Sequence, residues 1–285
     1  MPGMMVAGAR RDVSARTVQD ARAETEGSVT RTIAVTNQKG GVAKTTTAAS
    51  LAVALAEMGQ RVLVVDLDPQ ACLTFSLGVD PEDLETSVSQ VLTQGTRPDD
   101  VILGTDDGID LLPATIELAG AEASLLTRTG RELTLRMSLE DVSTGYDWVF
   151  LDSPPSLGVL TVNALVAARE VLIPLQCETL SHRGVGQLLD TIHDVRRLLN
   201  PRLRVLGVLP TLFDSRTNHA KAVLADIEQR YELPILTPPI PKSVRFAEAP
   251  AVGRSVLATS RRSKGAEAYR AVAAGLMGEA EAATA

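Results

Sequence analysis

The 285-residue sequence predicts an α/β chain built on a single doubly wound, mostly parallel sheet with helices on both faces. Two observations carry that expectation. Short β-branched runs alternate with segments whose apolar residues recur at helical spacing, the signature of successive βαβ units. The 45% of hydrophobic residues includes only 3% aromatics, so the core is aliphatic, as a buried parallel sheet requires.

The strand runs are Ile33–Val35, Val62–Val65, Val149–Leu151, Val171–Ile173 and Val205–Leu209. Between the first two, Leu51, Leu55 and Met58 share a helix face, and Gly59 stops that helix. Val185, Leu188, Leu189, Ile192, Val195 and Leu199 mark a second helix before the last strand. Residues 1–31 mix Arg10, Arg11, Arg16 and Arg22 with Asp12, Asp20, Glu24 and Glu26 in no durable period, which predicts a flexible N-terminal extension. Residues 32–278 are then expected to form one folded domain, and 279–285 a disordered, acidic, Ala-rich tail.

Net charge is −7, so contact with nucleic acid requires a local basic patch. Cys72 and Cys177 stand far apart and suggest neither a disulfide framework nor a four-ligand zinc site. No apolar run approaches the ~18 residues of a membrane span, and the start lacks a signal-peptide stretch. The expectation is a soluble, cytoplasmic protein.

The strongest chemical signal is Lys39-Gly40-Gly41-Val42-Ala43-Lys44-Thr45-Thr46, between the first strand and its helix. Glycines let successive N–H groups curl around one anion, and the helix amino end adds partial positive charge. Lys44 would neutralise terminal phosphates, and the Thr45 hydroxyl is suited to Mg²⁺. Ala43 stands where the general pattern has glycine. Because a methyl group at positive φ costs roughly 1 kcal/mol, Ala43 is expected in an α- or β-region conformation.

Two strand ends carry acids. Val62–Val65 leads into Asp66-Leu67-Asp68-Pro69-Gln70, and Val149–Leu151 into Asp152-Ser153-Pro154-Pro155-Ser156. Carboxylates at the carboxyl edge of a central strand lie beside the phosphate loop and can hold Mg²⁺ or orient water. Asp152 reads as the Walker B carboxylate. Consecutive prolines end the sheet there.

Lys39 is more than a P-loop needs, and Lys39–Thr45 resembles the deviant Walker A motif, KGGxxKT, of the ParA/MinD family. The resemblance continues in order from about Thr32 to Leu276. Asp66–Gln70 is similar to the family's switch I, DxDPQ, and Asp152–Ser156 to switch II. Pro174–Glu178 is similar to PxxxE, Thr211–Asn218 to TxxDxRTN, and Pro241–Pro250 to PRxVRxxEAP with Lys242 for the commoner Arg. It implies a slow ATPase using ATP and Mg²⁺, with Lys39, Lys44 and Asp68 catalytic. Lys39 would act in trans across an ATP-sandwich homodimer, as an arginine finger does. Asp68 would orient water, while Thr45, Asp66 and Asp152 serve the metal, Asp66 through its outer shell or the loop. Gly40, Gly41, Val42, Ala43, Thr46, Pro210, Thr211, Pro241 and Lys242 would contact the nucleotide.

The resemblance also implies nonspecific double-stranded DNA as a partner, a ParB-like protein that stimulates hydrolysis, and association with the nucleoid. Lys242, Arg245, Arg254, Arg261, Arg262 and Lys264 stand against one acid, Glu248. With Arg216, five of them (Lys242, Arg245, Arg261, Arg262 and Lys264) are the candidate DNA contacts. No recognition-helix pattern accompanies them, so phosphates rather than bases are read. A MinD-like membrane switch would want a basic amphipathic end, where this chain has Glu279 and Glu281. An iron–sulfur carrier would want cysteines at cluster spacing. An orphan ParA-like positioner of another cargo fits the same residues.

Overall fold

The computed structural model describes residues 30–178 and 181–284. Seven strands form one sheet: β1 (Arg31–Val35), β2 (Val62–Asp66), β3 (Leu103–Gly104), β4 (Asp110–Leu112), β5 (Trp148–Asp152), β6 (Glu170–Gln176) and β7 (Arg204–Thr211). Their order across the sheet is β3-β4-β2-β5-β1-β6-β7. All neighbours are parallel except β3 and β4. The five expected strands are present; β3 and β4, at two and three residues, are too short to show a period.

Alternation along each strand divides the core. Ile33 and Val35 of β1 face the helices Lys44–Glu57 and Lys264–Thr284, together with Val62, Val64, Phe150 and Leu172. Ala34 faces the opposite layer with Leu63, Val65, Val149 and Leu151, against the helices Val88–Gln94, Leu118–Leu125, Val159–Ala167 and Ser181–Leu198. Ile33, Leu63, Phe150 and Leu172 are wholly buried, each side chain contributing about 2 kcal/mol of transfer free energy.

Several boundaries differ from expectation. Most of the proposed extension lies outside the described residues, but Arg31 opens β1. Its guanidinium stacks over Trp148 and pairs with buried Glu170, which also accepts from Arg204 at 2.6 Å. That ion cluster draws the amino ends of β1, β5, β6 and β7 together. Pro174 lies inside β6 rather than after it, just past the end of β1, and its carbonyl accepts from the Asn37 side chain at 2.8 Å. At the other terminus residues 279–284, expected as a disordered tail, continue the helix Lys264–Thr284; in that helix the Leu276 carbonyl accepts from Arg31 at 2.5 Å.

The strand ends that matter finish level. Asp152 is the register partner of both Val35 and Asp66, so β2, β5 and β1 release their chains along one edge.

Candidate active site

The phosphate loop leaves β1 through buried Thr36 and Asn37. Asn37 accepts the Lys39 N–H at 3.0 Å while donating to Pro174, which starts the turn from a fixed point. Gly41 takes φ 73°, where a side chain would be strained. Ala43 also takes a left-handed conformation, φ 63° and ψ 36°, contrary to the expectation of an α- or β-region residue. Its surroundings compel the strain. Val42 is buried, its carbonyl accepts the Thr211 hydroxyl at 2.9 Å, and the Ala43 carbonyl already accepts from Thr47 at 2.9 Å. The strained residue is therefore held on one side by the distant Thr211 and on the other by the first turn of its own helix.

The helix Lys44–Glu57 begins with no side-chain cap and no acid in its first turn. Its first N–H groups are thus left to an anionic ligand. Lys44 is 7% exposed, and its Nζ donates to the Lys39 carbonyl at 3.2 Å, across the mouth of the loop. Burial lowers its pKa, while Asp152 and Asp68 pull it back up.

The three acids divide by their partners. Asp66 is fully buried: one oxygen accepts the Asp68 N–H at 3.1 Å, the other the Thr74 N–H at 2.9 Å and hydroxyl at 2.7 Å. Burial pushes its pKa up to about 6 despite those bonds. Asp68 is half-buried and accepts from the Gln70 N–H at 3.0 Å. Asp152 is buried, and neither of its oxygens accepts a well-formed hydrogen bond among the described residues. Burial and Asp66 raise its pKa, while the Thr45 hydroxyl and Lys44 favour its charged form. A buried carboxylate with both oxygens uncommitted, beside a hydroxyl and an ammonium, suits a hydrated divalent cation. Asp66, by contrast, is engaged by its own chain.

The second half of the chain comes to the same edge. Pro210 and Thr211 end β7; Ile240 donates to the Pro210 carbonyl at 2.8 Å, and Pro241 bridges to Phe213. The Lys242 N–H donates to the Phe213 carbonyl at 3.4 Å, so Pro241 and Lys242 join the strand end whose Thr211 bonds to Val42. A cleft of about 430 Å³ lies between Phe213, Ser215, Pro241 and the start of the last helix at Lys264. Of the basic residues expected to contact DNA, Lys264 lines it, beside the acid Glu267. Arg216 is exposed and forked onto Asp214 at 3.0 Å, and Arg245 pairs with Glu248 at 2.9 Å. Arg261, Arg262 and Lys264 make no ion pair among the described residues. Cys72, beside the acids, is pushed toward its neutral thiol by burial and by Asp68, and burial lifts Cys177 to about 11.

Thr74 and Asn37 escaped sequence reading. Nothing about a threonine eight residues beyond a strand-end acid marks it, because its partner Ala114 becomes a neighbour only through the short β4. Asn37 depends likewise on β6 lying beside β1.

An uncapped glycine-rich loop carrying two lysines, faced by strand-end carboxylates in register, defines a P-loop ATPase. A family model described as an AAA domain matches residues 30–205. The sporulation initiation inhibitor protein Soj of Bacillus subtilis is 44% identical over 238 residues, 83% of this chain and 94% of that protein. The chromosome-partitioning ATPase Soj of Thermus thermophilus is 47% identical, covering 87% and 95%. Among solved structures, a Mycobacterium smegmatis protein described as cobyrinic acid a,c-diamide synthase, with an ATP analogue and magnesium, is 55% identical; the match covers 87% and 95% with a TM-score of 0.79. Pyrococcus furiosus MinD, a cell division ATPase, is 26% identical over 87% of this chain and 99% of its own, with a TM-score of 0.71. The chain belongs to the ParA/Soj-type partition ATPases.

Proposed function

We propose that this ATPase is a nucleotide-operated DNA-binding switch: two copies close face to face around ATP, the closed pair holds DNA without sequence preference, and hydrolysis stimulated by a ParB-like partner releases it. ATP and Mg²⁺ are its cofactors. The observation that carries the reading is the second lysine. Lys44 is buried and committed to the loop, whereas Lys39 is 40% exposed at the loop's outer edge, paired there with the exposed Glu178, a contact that a facing copy could replace.

Within one copy, the amides from Gly40 to Thr46 and the Lys44 ammonium would cradle the phosphates. Thr45 and Asp152 would hold Mg²⁺, with Asp66 supporting the turn behind them. The metal supplies charge neutralisation at the leaving phosphate oxygens. Asp68 orients the attacking water, and Lys39 of the facing copy neutralises charge that develops on phosphoryl transfer. Pro210, Thr211, Pro241 and Lys242 border the rest of the nucleotide. Arg216, Lys242, Arg245, Arg261, Arg262 and Lys264 supply phosphate contacts, and pairing two copies doubles their number. Gel retardation of a random-sequence duplex with ATP, ADP or no nucleotide tests this. Binding confined to ATP supports the switch, and equal binding in all three contradicts it.

A second reading, amide formation, takes its support from the name given to the Mycobacterium smegmatis structure. Releasing ammonia from glutamine calls for an activated thiolate, and here both cysteines are driven toward the thiol. ADP release that required cobyrinic acid and ignored DNA would favour it.

A further inference from the structure

We infer that Thr74 is a positioning residue for hydrolysis, its hydroxyl fixing the Asp66–Asp68 turn from which the water-orienting carboxylate projects. The inference rests on the role proposed for Asp68.

Thr74 is wholly buried in the short helix Cys72–Ser76, which follows that turn. A threonine in a helix usually returns its hydroxyl to a carbonyl one turn back. This one does not. The Ala114 N–H, a backbone donor, points at Thr74 Oγ1 from 2.9 Å, so the oxygen is the acceptor there. Its single proton is then available to Asp66 Oδ2 at 2.7 Å, where the Thr74 N–H also arrives at 2.9 Å. The other oxygen of Asp66 accepts the Asp68 N–H at 3.1 Å. Three segments therefore meet at one hydroxyl: the exit of β4, the end of β2, and the helix after the turn.

Asp68 itself has little else to hold it. Its side chain accepts from Gln70 within the same turn, and its carbonyl accepts from Ala71. The backbone from which its carboxylate projects is tied to the Asp66 carboxylate through the Asp68 N–H, beside a Leu67 N–H bonded to the Asp152 carbonyl at 2.9 Å, and the Asp66 carboxylate is held in turn by Thr74. Displacement of a catalytic group by about 1 Å can lower a rate a hundredfold, so a hydroxyl that touches no reacting atom can still govern turnover.

Steady-state ATP hydrolysis on the full chain, with saturating DNA, separates the possibilities. Thr74→Val keeps the shape and removes the hydroxyl; kcat should fall about tenfold or more with KM unchanged, since a misaimed group rather than a binding contact is lost. Thr74→Ser restores the hydroxyl and should remain within about twofold of wild type. A valine variant with wild-type kcat, or a serine variant as slow as valine, overturns the proposal. If the valine variant does not fold, Thr74→Ala, which also removes the hydroxyl, serves in its place, and wild-type kcat there is equally contrary. Asp68→Ala is run alongside. Undiminished hydrolysis by that variant refutes the role of Asp68 itself, whereas loss in Asp68→Ala with normal turnover in Thr74→Val refutes only the role of Thr74.

Discussion

Lys39 is ion-paired with Glu178 of its own chain, a contact between the outer edge of the phosphate loop and the segment leaving β6. Both side chains are substantially exposed, at 40% and 52%, and a pair of that kind is worth at most about 1 kcal/mol. It can be surrendered cheaply when a second copy presents a phosphate. Lys39→Ala should accordingly retain ATP binding through Lys44 and lose ATP-dependent pairing and hydrolysis. Equilibrium binding of a fluorescent ATP analogue together with chromatography checks it; a variant that pairs normally counts against a role in trans.

Lys44 has a different standing. Its ammonium is buried and lies near Asp152 and Asp68, both of which favour its charge. Lys44→Ala should abolish nucleotide binding, weakening it by at least about a hundredfold through loss of a buried charged contact. Unchanged affinity in calorimetry would contradict the assignment of the loop.

Asp66 carries a pH signature. Its pKa is raised from the ordinary 3.8 to about 6, so the folded chain binds this proton more tightly than the unfolded chain does. The stabilisation from that proton is complete below the unfolded value and is lost as pH rises through about 6. Relative to Asp66→Asn, the nucleotide-free wild type should therefore gain about 2 kcal/mol between about pH 7 and about pH 4. Urea unfolding at both pH values measures it, and a wild type that gains nothing on Asp66→Asn toward acid would show that the carboxyl is not desolvated.

Arg216 is exposed and, among the described residues, tethered only by Asp214, whose own pKa it holds down to about 2. Arg216→Ala should weaken DNA binding about tenfold in 0.1 M salt and reduce the salt dependence by about one counterion, leaving pairing of the copies intact. Full DNA retardation by this variant would remove Arg216 from the contact surface.

The parts legible in the sequence are those written locally. The loop from Lys39 to Thr46, the acids at 66, 68 and 152, and the five long strands each show themselves in a few contiguous residues. What escaped depends on chain segments far apart in sequence. Ala43 looked incompatible with positive φ because neither the burial of Val42 nor the Thr211 hydroxyl that pins it can be read from the loop. Thr74 acquires meaning only when β4 delivers Ala114 to it. The apolar run Val171–Ile173 stops short of Pro174, whose place inside β6 and beyond the end of β1 is a matter of register. Glu279 looked like part of a loose end, yet its helix runs on to Thr284 and its side chain approaches Arg31 at the start of the sheet.

In the proposed switch, two copies should join only around the triphosphate. Light scattering on the purified chain with saturating Mg²⁺ measures this directly, comparing a slowly hydrolysed ATP analogue with ADP. Twice the single-chain mass is expected with the analogue, and the single-chain mass with ADP. A single-chain mass under both conditions would contradict it.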